Sequence, residues 1–461
     1  MICRKQVNLA QSVLAVFSAM VFTGSIAGVA LAQVESLTTS IGQAGTGGLV
    51  NVRGTPYGAV GDGKADDTRA IQAALNDVGT AGGGIVFVPT GTYLIATHLI
   101  VPSGTALVGV GRAPLHYDPR HPGSTLLAVE GAGNPDGVPF ITLLGPNSTL
   151  EGLTVFYPKQ VIAEAPVPYP WTVQSGGSGE NVSIVNVLLV NPYQAVDFGT
   201  HESPRHFVRG LYGQPLFKGI WVDQCYDIGR IHDVHFWPFW TQDKRIVNFT
   251  TTKATTFIFQ RTDWEVVENI FCWGYKVGIE FSASKFGAMN GQMTDIDLDN
   301  VDVGLDVSAT QPYAVHVSNL NVANAGAGTD HVAIWGRQSG KAAEIGIRGA
   351  SFWGFINQVL RWENAGTVSL SDARLIPWNI QHPMIEILAG RALVHDNVFQ
   401  PYRQEHIEDY WSHDPVVAAA NVKAVYIGPG VDRVMVHNNQ LNGNSIINGG
   451  GPHVSLANNQ P

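Results

Sequence analysis

Between residues 201 and 281 the chain concentrates side chains suited to handling sugars. Five of its eleven tryptophans (Trp221, Trp237, Trp240, Trp264 and Trp273) fall within 53 residues, with Tyr212, Tyr226, Phe236, Phe239 and Tyr275 nearby. Flat rings stack on the apolar faces of sugars, and carboxylates beside them bond hydroxyls or carry protons. The same band holds Glu202, Asp223, Asp227, Asp233, Asp243, Asp263, Glu265, Glu268 and Glu280, and Asp306 follows it. Two carboxyl groups flanking a glycosidic bond are enough for hydrolysis: one protonates the leaving oxygen, the other activates water or attacks the anomeric carbon. Asp227 and Asp263, like Asp233 and Asn269, recur at an offset of 36 residues, which marks corner-forming positions. Asp223, Glu265 and Glu280 do not recur; Asp223, Glu280 and Asp306 are the catalytic candidates, with Glu265 and Asp263 behind them. Trp221, Trp237, Trp240, Trp264, Arg261 and His235 are the candidate substrate-binding residues, while half of the rings in the band are expected in the core.

Two other readings stay open. Elimination from a uronate needs a base such as Lys276, Tyr275 or His235, with Arg261 or a cation facing the substrate carboxylate. Glycan binding without catalysis would use the aromatic face alone. No His/Cys/Asp spacing specifies a metal and no glycine-rich phosphate loop stands between strand and helix, so no cofactor is expected. A formal net charge of −10, with no run of five like charges, argues against a nucleic-acid partner and suits a neutral glycan.

Such groups need a rigid support, and composition and spacing indicate which. The 461 residues are 45% hydrophobic and 14% charged, enough for a large core, and 52 glycines with 25 prolines imply many short elements joined by turns. Apolar-x-apolar triplets centred on Asp197, Trp221, Ile258, Glu280, Asp306, Ala333, Arg361, Glu386 and Tyr426 are spaced by 24, 37, 22, 26, 27, 28, 25 and 40 residues. That is a solenoid period, with Lys244 to Thr256 and Tyr402 to Ala420 looped out. Side chains alternate along a strand, so the triplet centres form an external ladder. Glu280 and Asp306 then stand on adjacent rungs, about 4.8 Å apart, within reach of one glycosidic bond. Asn181, Asn300, Asn319, Asn397 and Asn438 suit corners where the backbone turns left-handed.

The N-terminal part is the most specific. Asn51-Val52-Arg53 leads to Tyr57-Gly58-Ala59-Val60-Gly61-Asp62-Gly63, then Asp66-Asp67-Thr68, then a helical segment with Ile71, Ala74, Leu75 and Val78 on one face. Gly82-Gly83-Gly84, the strand Ile85 to Val88, the turn Pro89-Thr90-Gly91-Thr92 and the strand Tyr93 to Ile95 follow, and Asp66 or Asp67 is placed to cap the helix. From Asn51 to about Leu94 this pattern resembles the N-terminal segment of the pectate-lyase-like superfamily. The resemblance implies an all-β, single-domain right-handed parallel β-helix over residues 50–461, with a short N-terminal helix capping its open end. It also implies that Asp62, Asp66 and Asp67 are structural and that the chain acts on polysaccharide. The Asn-Thr-Asp, paired-aspartate and Gly-His-Gly elements of the superfamily's polygalacturonases, and the Asp-Pro-His-Glu element of its alginate epimerases, do not occur after this segment.

Residues 1–32 read as a secretory signal: Arg4 and Lys5, an apolar stretch from Val13 to Leu31, and Ala30-Leu31-Ala32 before Gln33. A flexible lead over 33–49 follows, and the expected location is secreted or periplasmic without stable membrane insertion. Two cysteines, Cys225 and Cys272, remain after cleavage; a disulfide and two buried free thiols are both compatible with their strand-like surroundings.

Overall fold

A computed structural model describes residues 48–114, 118, 123–324, 331–377, 382–400 and 423–461. The signal segment, most of the lead and the loop from Tyr402 to Ala420 lie outside them. The chain is a right-handed parallel β-helix, built among the described residues from a 21-stranded and a 13-stranded sheet, here called sheet 1 and sheet 2. One coil shows the plan. Val303–Val307 lies in sheet 2, a corner leads to the longer strand Val315–Asn324 of sheet 1, and the chain re-enters sheet 2 at Val332–Gly336. Among the described residues no helix is long and apolar enough to cross a membrane.

The external ladder exists on sheet 2. Thr142, Gln174, Asp197, Trp221, Ile258, Glu280, Asp306, Trp335, Arg361, Glu386 and Tyr426 face one another on successive strands. Their flanking residues, such as Ile279 and Phe281 beside Glu280, are fully buried. One rung differs from expectation: Trp335, not Ala333, faces Asp306, and Ala333 is buried. Gly336 replaces an apolar residue there, so the apolar pattern alone selects a frame two residues early.

The long strands of sheet 1 bend where a residue in the left-handed region drops out of the ladder. Asp233, Asn269, Asp295 and Asn319 have φ of 54°, 52°, 56° and 52°. Their side chains bond from coil to coil, Asn269 donating to Asp233 at 2.7 Å and Asn319 to Asp295 at 3.0 Å. Asn181, Asn300 and Asn438 also take positive φ, as expected. Asn397 does not. Asp396 makes that turn with φ 58°, and Asn397 is buried, accepting from Ala373 N and donating to Leu370 O and Asn439.

The capping helix spans Thr68–Thr80 and buries Ile71, Ala74, Leu75 and Val78. Its two aspartates divide their duties. Asp66 accepts from Thr68 N at 3.0 Å, whereas Asp67 makes no cap bond and instead accepts from Val60 N and Gly61 N at 2.6 and 3.0 Å. The expected loop after Lys244 contains a second helix, Lys244–Lys253, with Asp243 accepting from Arg245 N. Cys225 and Cys272 are buried free thiols, so the disulfide alternative falls.

Candidate functional site

The middle of the sheet 2 ladder gathers two carboxylates, an arginine and exposed-face tryptophans. Asp306 accepts from Arg337 Nε and Nη2, both at 2.8 Å, and that guanidinium lies 3.4 Å over the Trp335 ring. Glu280, one rung away and half-buried, has its pKa raised by burial, against a Ser282 hydrogen bond, with the Asp306 charge pushing the same way as burial. Two rungs on the other side stands Trp221, whose Nε1 donates to Gln260 at 3.0 Å and whose ring stacks on Trp171 at 6.2 Å. Gln260 in turn donates to Ser282 at 3.3 Å, so one row of polar side chains links the tryptophan to the carboxylates. Asp197, higher on the ladder, is fully buried and accepts from Gln174, Gly199 N, Thr200 N and the Thr200 hydroxyl, which leaves it a structural part.

A second group gathers at the corner where sheet 2 turns into sheet 1. Asp223 is buried there and one of its oxygens accepts from Gln224 N, Arg261 N and the Ser284 hydroxyl at 2.9, 2.9 and 3.0 Å. It ties three successive corners together, which is a structural duty for a residue expected to be catalytic. Arg261 donates to Asp263 at 2.6 Å and lies 5.4 Å over the Tyr226 ring, while Gln311 donates to the other oxygen of Asp263 at 2.7 Å. Trp264 follows with φ 62° and 70% exposure. A bulky residue in the left-handed region costs on the order of 1–3 kcal/mol and persists only when its surroundings hold it. They do so here: Asn290 accepts from Trp264 N at 2.7 Å and donates to Gln311 at 2.7 Å. Together with Tyr226, Arg261, Asp263, Gln311 and Tyr313, Trp264 lines a cleft of about 620 Å³.

Beneath this corner lies Glu265, expected among the catalytic carboxylates. It is fully buried, 2.9 Å from His206 Nε2, and accepts from the Thr262 hydroxyl at 2.6 Å, so it cannot reach a substrate. His206 Nδ1 bonds Ser203 O at 2.9 Å; a carbonyl only accepts, so that nitrogen carries a proton while Nε2 faces Glu265. Burial opposes the charge, but Glu265 beside the ring outweighs it and holds the His206 pKa well above its ordinary value. Donor atoms of His206, Cys225 and Glu265 lie within 4.8 Å of one another, a metal-like grouping, yet each is already engaged, Cys225 donating to Asp227 O at 3.1 Å. The arrangement works as a buried ion pair that fixes the turn carrying Arg261, Asp263 and Trp264.

Comparison with known proteins places this architecture. The family model for rhamnogalacturonase A/epimerase, pectate lyase-like, matches residues 49–280. The chain belongs to this family. Alginate lyase 7 of Azotobacter vinelandii is 45% identical over 62 residues, 12% of this chain and 7% of that protein. A glucan 1,3-beta-glucosidase of Cochliobolus carbonum is 36% identical over 77 residues, 17% of this chain and 8% of that protein. The chain therefore spans only a small fraction of these relatives. The tailspike of E. coli bacteriophage HK620, solved as a mutant with a pentasaccharide, superposes with a TM-score of 0.54 at 13% identity over 88% of this chain and 80% of that one, a likeness of fold.

The match to the pectate-lyase-like family takes in Trp221, Asp223, Arg261, Asp263, Trp264 and Glu280 and ends before Asp306, Trp335 and Arg337. In this family member the remaining candidates lie apart from the ladder. His235 sits on sheet 1, stacked 4.6 Å from Phe271, with its pKa lowered by burial. Trp237 and Trp240 pack with Tyr212 on a small separate cluster of Leu188, Val190 and Phe239. These three cover sheet 1 and share no surface with Trp221, a separation that sequence proximity cannot show. Trp171, Trp335, Arg337 and Tyr313 are additions from the structure. Trp171 and Trp335 lie in strands of sheet 2, but Gly336 hides the rung of Trp335, and Arg337 and Tyr313 carry no signal in the sequence.

Proposed function

We propose that the chain is a secreted enzyme that hydrolyses glycosidic bonds in a neutral polysaccharide or oligosaccharide lying along the sheet 2 ladder. The observation that supports this reading is the pairing of half-buried Glu280 with arginine-clamped Asp306 on adjacent rungs, on the same face as the Trp221 platform. Glu280, raised in pKa, holds a proton to higher pH than an ordinary carboxyl and gives it to the leaving oxygen. Asp306, on the adjacent rung, is spaced to attack the anomeric carbon as the leaving oxygen departs, and Glu280, now ionised, takes the proton of the water that displaces Asp306 and releases the sugar. The polar row of Gln260 and Ser282 orients hydroxyls beside Trp221. Two of the three lyase bases fit less well: Tyr275 is buried in the core and His235 lies on sheet 1, while Lys276 is exposed just before the strand Val277–Phe281.

Purified protein tested on a polysaccharide panel, with product mass as the readout, checks the reaction. Glu280→Gln is expected to lose at least about a hundredfold in turnover. Wild-type rates in that variant, or unsaturated products one water lighter than hydrolytic ones, would sink the hydrolase assignment. For export, the secreted protein is expected to begin at Gln33 on N-terminal sequencing; retention of residues 1–32 counts against it.

A further inference from the structure

Two rings stand out from the corner beside the ladder. Trp264 is 70% and Tyr313 75% exposed, the highest values among large hydrophobic side chains of the described residues. They rise from corners two coils apart, because Glu265 pairs with Gly291 and Gly291 with Val315. Two strand spacings are about 9–10 Å, the width that one pyranose ring fills when an aromatic face stacks on each side. The corner of the coil between them carries Phe286, over which Lys285 lies, but that ring lines neither of the clefts beside the gap. That coil presents Asn290 and Gly291, and a Cβ on Gly291 would lie 2.3 Å from Glu265 O, so the floor of the gap stays bare.

Both ends of the gap open into clefts. On the sheet 2 side is the cleft of about 620 Å³ with Arg261, Asp263 and Gln311. On the sheet 1 side a second cleft of about 620 Å³ is floored by Arg230, Val266, Gln292 and His316, which face one another on four successive strands. Trp264, Tyr313, Asn290 and Ile228 line both. A protein interface core is flat and depleted of charge; here concave clefts present planar amides and charged groups on either side of two rings, the pattern of a small-ligand site.

We propose that the gap between Trp264 and Tyr313 is a binding slot for one sugar ring of a neutral hexopyranose chain, distinct from the sheet 2 ladder. The inference deepens the glycan reading and rests on it, and the strained backbone of Trp264 is the cost of presenting its ring there. Trp264 is held by its Asn290 bond rather than by burial of its indole, so ring removal leaves the fold intact.

The test uses the full chain and oligosaccharides of the cello-, malto-, laminari- and manno- series, titrated by tryptophan fluorescence and calorimetry. Trp264→Ala and Tyr313→Ala are expected to weaken binding by at least about tenfold each, with unchanged melting temperature and unchanged mass in solution. Trp264→Phe is expected to restore most of the affinity. Unchanged affinity in both alanine variants, binding of uronate oligosaccharides only, or a wild-type oligomer that the alanine variants dissociate would each overturn the slot. Glu280→Gln separates the two readings. If it keeps wild-type turnover while Trp264→Ala loses binding, hydrolysis at Glu280 falls and the slot stands.

Discussion

At the scale of single residues, charge and burial set two pH responses. Asp306 lies one rung from Glu280 and helps hold the proton on it. Asp306→Asn removes that negative charge, so the alkaline limb of the pH–rate profile, measured on the activity that remains, is expected to move to lower pH; a limb that stays or rises contradicts the pairing. The second response belongs to Asp299, whose pKa burial raises to about 6 against a backbone hydrogen bond from Asn300. A folded-state pKa above the unfolded one means that the native state binds the extra proton, so stability is full below the unfolded pKa of about 4 and is lost as pH rises through about 6. Asp299→Asn is therefore expected to raise the melting temperature at pH 7 and leave it nearly unchanged at pH 4. Equal effects at both values would mean that its ionisation carries no cost.

At the scale of elements, the capping segment and the corner turn are each held by one carboxylate. Asp67 satisfies two backbone N–H groups of the loop before the helix and is 1% exposed. Asp67→Ala leaves those donors without their partner, at about 1–3 kcal/mol each by the usual cost of a lost buried bond. Asp66→Ala removes a helix-end bond worth about 1 kcal/mol. Denaturant unfolding is expected to rank Asp67→Ala as the more harmful, with neither variant specifically impaired in turnover once folded. The His206 and Glu265 pair does the same for the turn that carries Arg261 and Trp264. His206→Ala strands a buried carboxylate and is expected to cost about 3–5 kcal/mol, and an unaffected midpoint would show that the turn does not depend on the pair.

At the scale of the whole molecule, the two sheets stack coil upon coil, so each strand contacts mainly its neighbours in the solenoid. Any column of outward residues is a straight line along the axis, and the proposed groove on sheet 2 and the proposed slot at its corner are built from such columns. Far-UV circular dichroism is expected to be dominated by β-structure, as Thr68–Thr80 and Lys244–Lys253 are the two α-helices of the described residues. A helix-rich spectrum is incompatible with this architecture.

The period of the fold, its ladder and its capping helix were legible in the chain because they depend on local alternation, on helical spacing and on left-handed turns that Asn and Asp tolerate. Ile71, Ala74, Leu75 and Val78 face the core as their spacing indicates, and Glu280 meets Asp306 because both occupy the centre of an apolar triplet. Where local pattern failed, the deciding contacts were remote. Gly336 hid the rung of Trp335, whose place comes from pairing with Asp306 twenty-nine residues earlier. Glu265 and Asp223 look like free carboxylates in sequence, but His206 and Ser284, distant in the chain, bury or bind them. Trp237 and Trp264 belong to one aromatic run, and only the direction of the intervening strands sends one onto sheet 1 and leaves the other exposed at the corner. Alternation tells which residues point outward; which outward residues meet is decided by the register between coils, a tertiary property.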